Sequence, residues 1–237
     1  MDKTQKLHPG QHFSPMHFKR LDGPDHQFGG TGSWQILFVY RGKHCPICKG
    51  YLGKIKQRHE KFETLGVNVA ALSADSEAQA RETSEAVKPA FPLLYGIDVP
   101  MMQELGLYVS EPRSDSETDH RFPEPGLFMI NPAGTLQIID ISNAPFARPD
   151  LDVLLGGIEF VLANAHPIRG AHENSSSSRL ASRMRLLPSV DRRTPLDQQA
   201  DFPRWLRDML DRVKYDCEHR EPPPVPPPGV KSLGVVA

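Results

Sequence analysis

The sequence predicts an α/β domain, a central mixed β-sheet flanked by helices, followed by a largely irregular C-terminal extension. Three observations carry this. The apolar runs 36–40 and 67–73 have the unbroken character of strands buried on both faces of a sheet, and a helical pattern follows each. The turn Asn131-Pro132-Ala133-Gly134, between apolar runs 126–130 and 135–141, reads as a β-hairpin that adds antiparallel strands to that sheet. After Gly170 the composition changes, with a serine run at 175–178 and an almost unbroken proline stretch at 221–229.

In chain order, the first residues are rich in Gly, His and Pro, with a strand over 16–21 that ends in the turn Asp22-Gly23-Pro24 and makes an opening hairpin. The strand 36–40 leads to a helix that starts at Cys45 and runs to about residue 65, where Gly66 stops it. The strand 67–73 comes next. Ser76, with Gln79 three residues on, forms a capping box for a helix that ends before Pro89. Residues 91–95 form a short strand, and 101–105 a helical turn leading into Tyr108-Val109. Residues 111–121 are polar without periodicity, a surface loop able to shape access to a site. In the last helix Pro149 takes the first position, and Leu151, Leu154, Leu155, Ile158, Val161 and Leu162 recur at helical spacing to cover one sheet face.

Domain organisation is therefore one domain over 1–170 and a Ser/Pro-rich extension over 171–237. Within the extension, Trp205, Leu206, Met209, Leu210 and Val213 mark one amphipathic helix, expected to dock on its own domain, with a second subunit or a partner as the alternatives. The proline stretch reads as a solvated spacer, with a polyproline II ligand as the alternative. A net charge of -1 gives no pull toward nucleic acid or an anionic membrane surface. Three cysteines are too few and too unevenly spaced for a secreted disulfide framework. The N-terminus has no apolar signal core, and no stretch approaches the ~18 apolar residues of a membrane span, so a cytoplasmic protein is expected.

The chemistry centres on Cys45-Pro46-Ile47-Cys48 at a strand-to-helix junction. A thiolate is the reactive form of cysteine, and the positive end of a helix stabilises that anion in the first turn. Cys45 is placed for this role. Cys48, one turn further in, can attack a sulfenic acid or mixed disulfide on Cys45 and close a disulfide. Pro46 costs nothing in the first helical turn, and Arg41, Lys43 and His44 add positive charge nearby. Two buried, inert cysteines are the alternative, and half of a zinc site is a second one that lacks its other half.

The strand, C-P-x-C helix, strand, helix, hairpin and helix order resembles the thioredoxin fold, with Pro125 in Glu124-Pro125-Gly126-Leu127-Phe128-Met129-Ile130-Asn131 at the place of that family's cis-proline. More closely, Phe38-Val39-Tyr40-Arg41-Gly42-Lys43-His44-Cys45-Pro46-Ile47-Cys48 followed by Val69-Ala70-Ala71-Leu72-Ser73-Ala74-Asp75-Ser76 resembles the peroxiredoxin-like branch of the alkyl hydroperoxide reductase and thiol-specific antioxidant family, over about residues 7–170. The resemblance implies that Arg148, after the hairpin, polarises the peroxide; a solvated helix-start arginine is the alternative. The family's P-x-x-x-T/S-x-x-C carries a peroxide-binding hydroxyl, but those positions here are Phe38 and Gly42. Either Arg41, Arg148 and backbone amides then hold the peroxide, with Arg41, Gly42 and Pro125 as the substrate-binding positions around the catalytic set Cys45, Cys48 and Arg148, or the chain acts in thiol-disulfide exchange on another substrate.

Such a protein is expected to be a thiol-dependent peroxidase acting on hydrogen peroxide or organic hydroperoxides, regenerated by thioredoxin or another dithiol, without cofactor or metal. A homodimer is among the expected assemblies. A protein dithiol-disulfide oxidoreductase and a redox-sensing adaptor are the alternatives. Cys217 is a candidate distant resolver, though a free cysteine is commonly inert. His8, His12, His17 and His26 lack metal-binding spacing, and Trp34 belongs to the core.

Overall fold

The computed structural model describes residues 7–114 and 116–171. The expected amphipathic helix, Cys217 and the proline stretch lie outside the described residues.

The chain opens with β1 (Met16–Arg20) and β2 (His26–Phe28), the expected antiparallel hairpin, with Asp22 and Gly23 at positive φ in its turn. β3 (Trp34–Val39) is an interior strand of the sheet. Its side chains alternate between two cores: Ile36 and Phe38 face one, Leu37 and Val39 the other, and all four are buried. A strand enclosed on both faces has no polar side to show, which is why its sequence is an unbroken apolar run. From β3 the chain enters α1 (Pro46–Gln57) and α2 (His59–Thr64), then returns as β4 (Val67–Leu72), parallel to β3.

The single helix expected from Cys45 to about residue 65 is broken at Arg58, whose φ of -111° and ψ of 5° leave the helical region. Arg58 donates to both carboxylate oxygens of Asp152, at 2.8 and 2.6 Å. Phe62 falls seven residues beyond Ile55, so the buried positions Cys48, Leu52, Ile55 and Phe62 keep helical spacing through the break and conceal it.

α3 (Glu77–Val87) begins with the predicted capping box, Ser76 and Gln79 bonding reciprocally, and ends on left-handed Lys88 just before Pro89. β5 (Leu93–Tyr95), shorter than expected, pairs with β4 in parallel and with β1 antiparallel. α4 (Val99–Glu104) starts earlier than its apolar residues suggested because Asp98 caps it. β6 (Val109–Ser110) and β7 (Phe122–Pro123) form a small ribbon bracketing the polar loop. β8 (Gly126–Ile130) and β9 (Leu136–Ile141) form the predicted hairpin, β8 lying antiparallel beside β3.

The main sheet thus runs β2-β1-β5-β4-β3-β8-β9. α5 (Leu151–Asn164) buries Leu151, Leu155 and Ile158 against the same core that receives α1. Pro149 is not its first residue: the Asp150 carboxylate accepts the amides of Asp152 and Val153 and caps the helix, which starts two residues later at Leu151. Among the described residues no helix is long and apolar enough to cross a membrane.

Candidate active site

The end of β3 and the start of α1 bring the two cysteines together. Cys45 is the N-cap of α1, in an extended conformation, and its Sγ accepts the Cys48 amide at 3.2 Å. The two sulfurs are joined as a disulfide. Cys45 is 3% exposed and Cys48 not at all, while Ile47 between them is turned to solvent. A sulfur that caps a helix receives the free first-turn amides, which favour its anionic form.

Arg148 approaches from the segment between β9 and α5. Its Nη2 donates to the Val39 carbonyl at 3.4 Å and to Cys48 Sγ at 3.6 Å, and its guanidinium lies 4.8 Å over the Tyr51 ring. Tyr51 in turn donates to the Pro149 carbonyl at 2.9 Å and steadies this segment. Burial lowers the Arg148 pKa to about 10, leaving it charged at neutral pH, and raises that of Tyr51 to about 12. The alternative of a solvated arginine is therefore set aside. An open cleft of about 520 Å³ is lined by Arg148 together with Tyr108, Ile141 and Ala147 and the polar Asp140, Ser142 and Asn143.

The other positive charges expected at the cysteines are engaged elsewhere. Arg41 pairs with Glu117 and Glu124, each at 3.5 Å, and lies 4.6 Å over the Phe122 ring. Lys43 reaches Glu82 at 2.8 Å. His44 packs on Phe122 with ring centroids 4.6 Å apart, and burial, then the Arg41 charge, lowers its pKa to about 4. At neutral pH His44 is uncharged, contrary to the expectation that it adds positive charge. Arg148 and the helix start are left as the cationic features touching the sulfurs.

Gly42 has φ +134°, and a Cβ there would collide with the Asp75 carboxylate. Backbone angle and space both exclude the hydroxyl residue of the resembling family. Asp75 itself is 0% exposed. Its Oδ2 accepts the Lys43 amide at 2.9 Å and the Ser73 hydroxyl at 3.1 Å, while Oδ1 faces His120 Nε2 at 3.9 Å. Burial pushes the Asp75 pKa up, and the Ser73 and Lys43 hydrogen bonds oppose the rise.

Pro125 lines a narrow crevice with Phe38, Tyr51 and Arg148, so it belongs to the same neighbourhood. Its peptide bond is trans, since no cis bond occurs among the described residues. The chain runs from β7 straight into β8, with the Glu124 amide on the Tyr108 carbonyl and the Pro125 carbonyl accepting from Ser142. The trans form, favoured by about 0.5–1 kcal/mol before proline, meets both bonds.

Sequence reasoning thus reached Cys45, Cys48, Arg148 and Pro125, which come together, and Arg41, whose partners lie in the 111–124 segment. It missed Tyr51, Asp75 and His120. Asp75 stood inside the quoted 69–76 stretch and His120 inside the polar loop, but only the fold shows that they face each other. Among the described residues no group of three or more His, Cys, Asp or Glu could hold a metal ion.

Comparison with known proteins adds a family. The model of the AhpC/TSA family matches residues 17–139. Alkyl hydroperoxide reductase C of Salmonella typhimurium is 20% identical over 161 residues, covering 67% of this chain and 84% of that protein. A peroxiredoxin of Aeropyrum pernix is 25% identical over 120 residues, 48% of this chain and 45% of that protein. Among solved structures, peroxiredoxin 6 of Arenicola marina superposes with a TM-score of 0.58 at 21% identity, over 74% of this chain and 88% of that one. Mycobacterium tuberculosis AhpC does so at 0.53 and 16%, over 68% and 96%.

Proposed function

The chain belongs to the AhpC/TSA family, and from that premise we propose that it is a thiol-dependent peroxidase working through Cys45 and Cys48. The Cys45 thiolate attacks the terminal oxygen of a hydroperoxide, the O–O bond breaks, and the alkoxide or hydroxide takes a proton and leaves, giving Cys45 sulfenic acid. The Cys48 thiolate then attacks the Cys45 sulfur and expels hydroxide, which leaves as water. A dithiol of the thioredoxin type reduces the resulting disulfide. The observation that carries this reading is the pair itself: the sulfurs bond to one another at the start of α1, with the Cys48 amide on Cys45 and the Arg148 guanidinium on Cys48.

Arg148 has a double use in this reading. It lines the open cleft through which a peroxide would enter, and its contact with Cys48 Sγ stabilises the thiolate that resolves the sulfenic acid. Hydrogen peroxide and organic hydroperoxides both belong to this proposal; the cleft sets Tyr108, Ile141 and Ala147 beside the polar Asp140, Ser142 and Asn143. A cytoplasmic location and assembly as a homodimer belong to the same proposal. So does the division into a domain over 1–170 and an extension over 171–237.

The test is peroxide consumption with a dithiol donor. Cys45→Ser abolishes it, Cys48→Ser leaves one turnover per chain, and equal activity of both variants and the parent protein overturns the reading. The absence of a hydroxyl at Gly42 favours a second reading, protein dithiol-disulfide exchange. Reduction of insulin disulfides without accelerated peroxide consumption would select it.

A further inference from the structure

We propose that Asp75 is a positioning residue for Cys45: its buried carboxylate holds one peptide group, that between Gly42 and Lys43, in the orientation that sets Cys45 as the cap of α1. The inference rests on the peroxidase reading only in taking Cys45 as the attacking sulfur.

A single peptide plane connects the two residues. Its N–H, from Lys43, donates to Asp75 Oδ2 at 2.9 Å, and its C=O, from Gly42, accepts the Cys45 amide at 3.1 Å. In a trans peptide these two groups point in opposite directions. Asp75 and the Cys45 amide therefore hold the plane from its two ends, and rotating it breaks both bonds. With both made, Cys45 keeps the extended φ of -99° and ψ of 102° that direct its Sγ to the Cys48 amide. Gly42 permits this arrangement because its φ of +134° suits glycine and because the carboxylate lies against its Cα, where no side chain fits.

Burying a carboxylate is costly unless it is hydrogen-bonded. Oδ2 of this one has two partners, the Lys43 amide and the Ser73 hydroxyl. Ser73 donates from the end of β4, and His120 faces Oδ1 from the polar loop. His120 is itself held on its other nitrogen by Thr118 and Asp119. Asp75 Oδ1, His120 Nε2 and the Tyr40 hydroxyl are buried in this interior without a hydrogen bond. The loop that bore no periodicity in the sequence thus supplies the outer support for the turn beneath the nucleophile.

The experiment uses the full chain with Cys48→Ser and Cys217→Ser, so that Cys45 is the sole thiol, and follows its alkylation by iodoacetamide at neutral pH by intact mass. Asp75→Ala removes the acceptor; Asp75→Asn keeps a side-chain oxygen for the Lys43 amide. Alkylation is expected to slow about 10- to 100-fold in Asp75→Ala, the order of the cost of leaving the Lys43 amide unpaired. Asp75→Asn is expected to restore it to within about threefold of the parent, because an amide oxygen can still accept that bond. Unchanged alkylation in Asp75→Ala, or an asparagine variant as slow as the alanine one, overturns the proposal. If Asp75→Ala does not fold, Asp75→Asn carries the test, and a loss beyond about tenfold in it is the overturning result. Alkylation with this dependence in a protein that consumes no peroxide would remove the peroxidase reading and leave the positioning role standing.

Discussion

Replacing Arg148 by methionine keeps most of the side-chain volume over Tyr51 but removes the charge that stands 3.6 Å from Cys48 Sγ. At that distance, with an effective dielectric of ~20, a unit charge pair is worth up to ~5 kcal/mol, and an opposite charge at such range typically moves a pKa by ~1–3. Taking ~2, the Cys48 thiol becomes about a hundredfold poorer in thiolate at neutral pH. The more basic thiolate that remains is also more nucleophilic, with a Brønsted slope of ~0.4–0.5, which returns about tenfold. Resolution of the sulfenic acid is therefore expected to slow about tenfold, while its formation on Cys45 changes less. Rapid mixing with hydrogen peroxide followed by dimedone trapping separates the two steps: the variant should accumulate trapped sulfenic acid where the parent protein shows little. Arg148→Lys, which keeps the charge but not the planar fork, should fall between them. Slower formation of the sulfenic acid with unchanged resolution would refute this reasoning and return Arg148 to the peroxide-polarising role that the family resemblance implied.

Two further outcomes follow from the turn before Cys45. Gly42→Ala places a Cβ against the Asp75 carboxylate at a φ of +134° and should destabilise the domain by at least ~1–3 kcal/mol in urea denaturation; a variant as stable as the parent protein contradicts the geometry. His44 has a pKa of about 4 in the folded chain against an ordinary 6.5, so the unfolded chain binds the extra proton between those values. Its contribution to stability is complete above pH 6.5 and is lost as pH falls toward about 4. Because the ring is only partly shielded from solvent, that contribution is held to less than ~2 kcal/mol. His44→Phe, which keeps a ring on Phe122, should flatten the stability profile across this window, and parallel profiles would sink the claim.

How much of this was legible in the sequence depends on the range of the interaction involved. Periodicity and turn chemistry are local, and they located β3, β4, the capping box at Ser76 and the β8–β9 hairpin closely. They passed over the break at Arg58 because Phe62 keeps the helical spacing of Ile55, and they set α5 two residues early because Asp150, not Pro149, has the side chain that caps it. The Cys45–Cys48 pair was readable because its spacing is one helical turn.

Charge was where adjacency misled. Arg41, Lys43 and His44 precede Cys45 directly, and in a continuous helix or strand the spacing of such neighbours would fix their direction. Here a left-handed glycine stands among them, and the turn sends each one away: Arg41 to Glu117 and Glu124, Lys43 to Glu82, and His44 into a site that keeps it neutral. Each of these carboxylates is supplied by a distant part of the chain, so nothing near Cys45 in the sequence announces it. Arg148, by contrast, lies a hundred residues from Cys48 and touches its sulfur. A thiol activated by its sequence neighbours would lose reactivity gradually as Arg41 and Lys43 were removed. With the helix start acting on Cys45 and a single long-range arginine on Cys48, Cys45 should be indifferent to the removal of either and sensitive to the peptide plane that holds it, while Cys48 answers to the guanidinium.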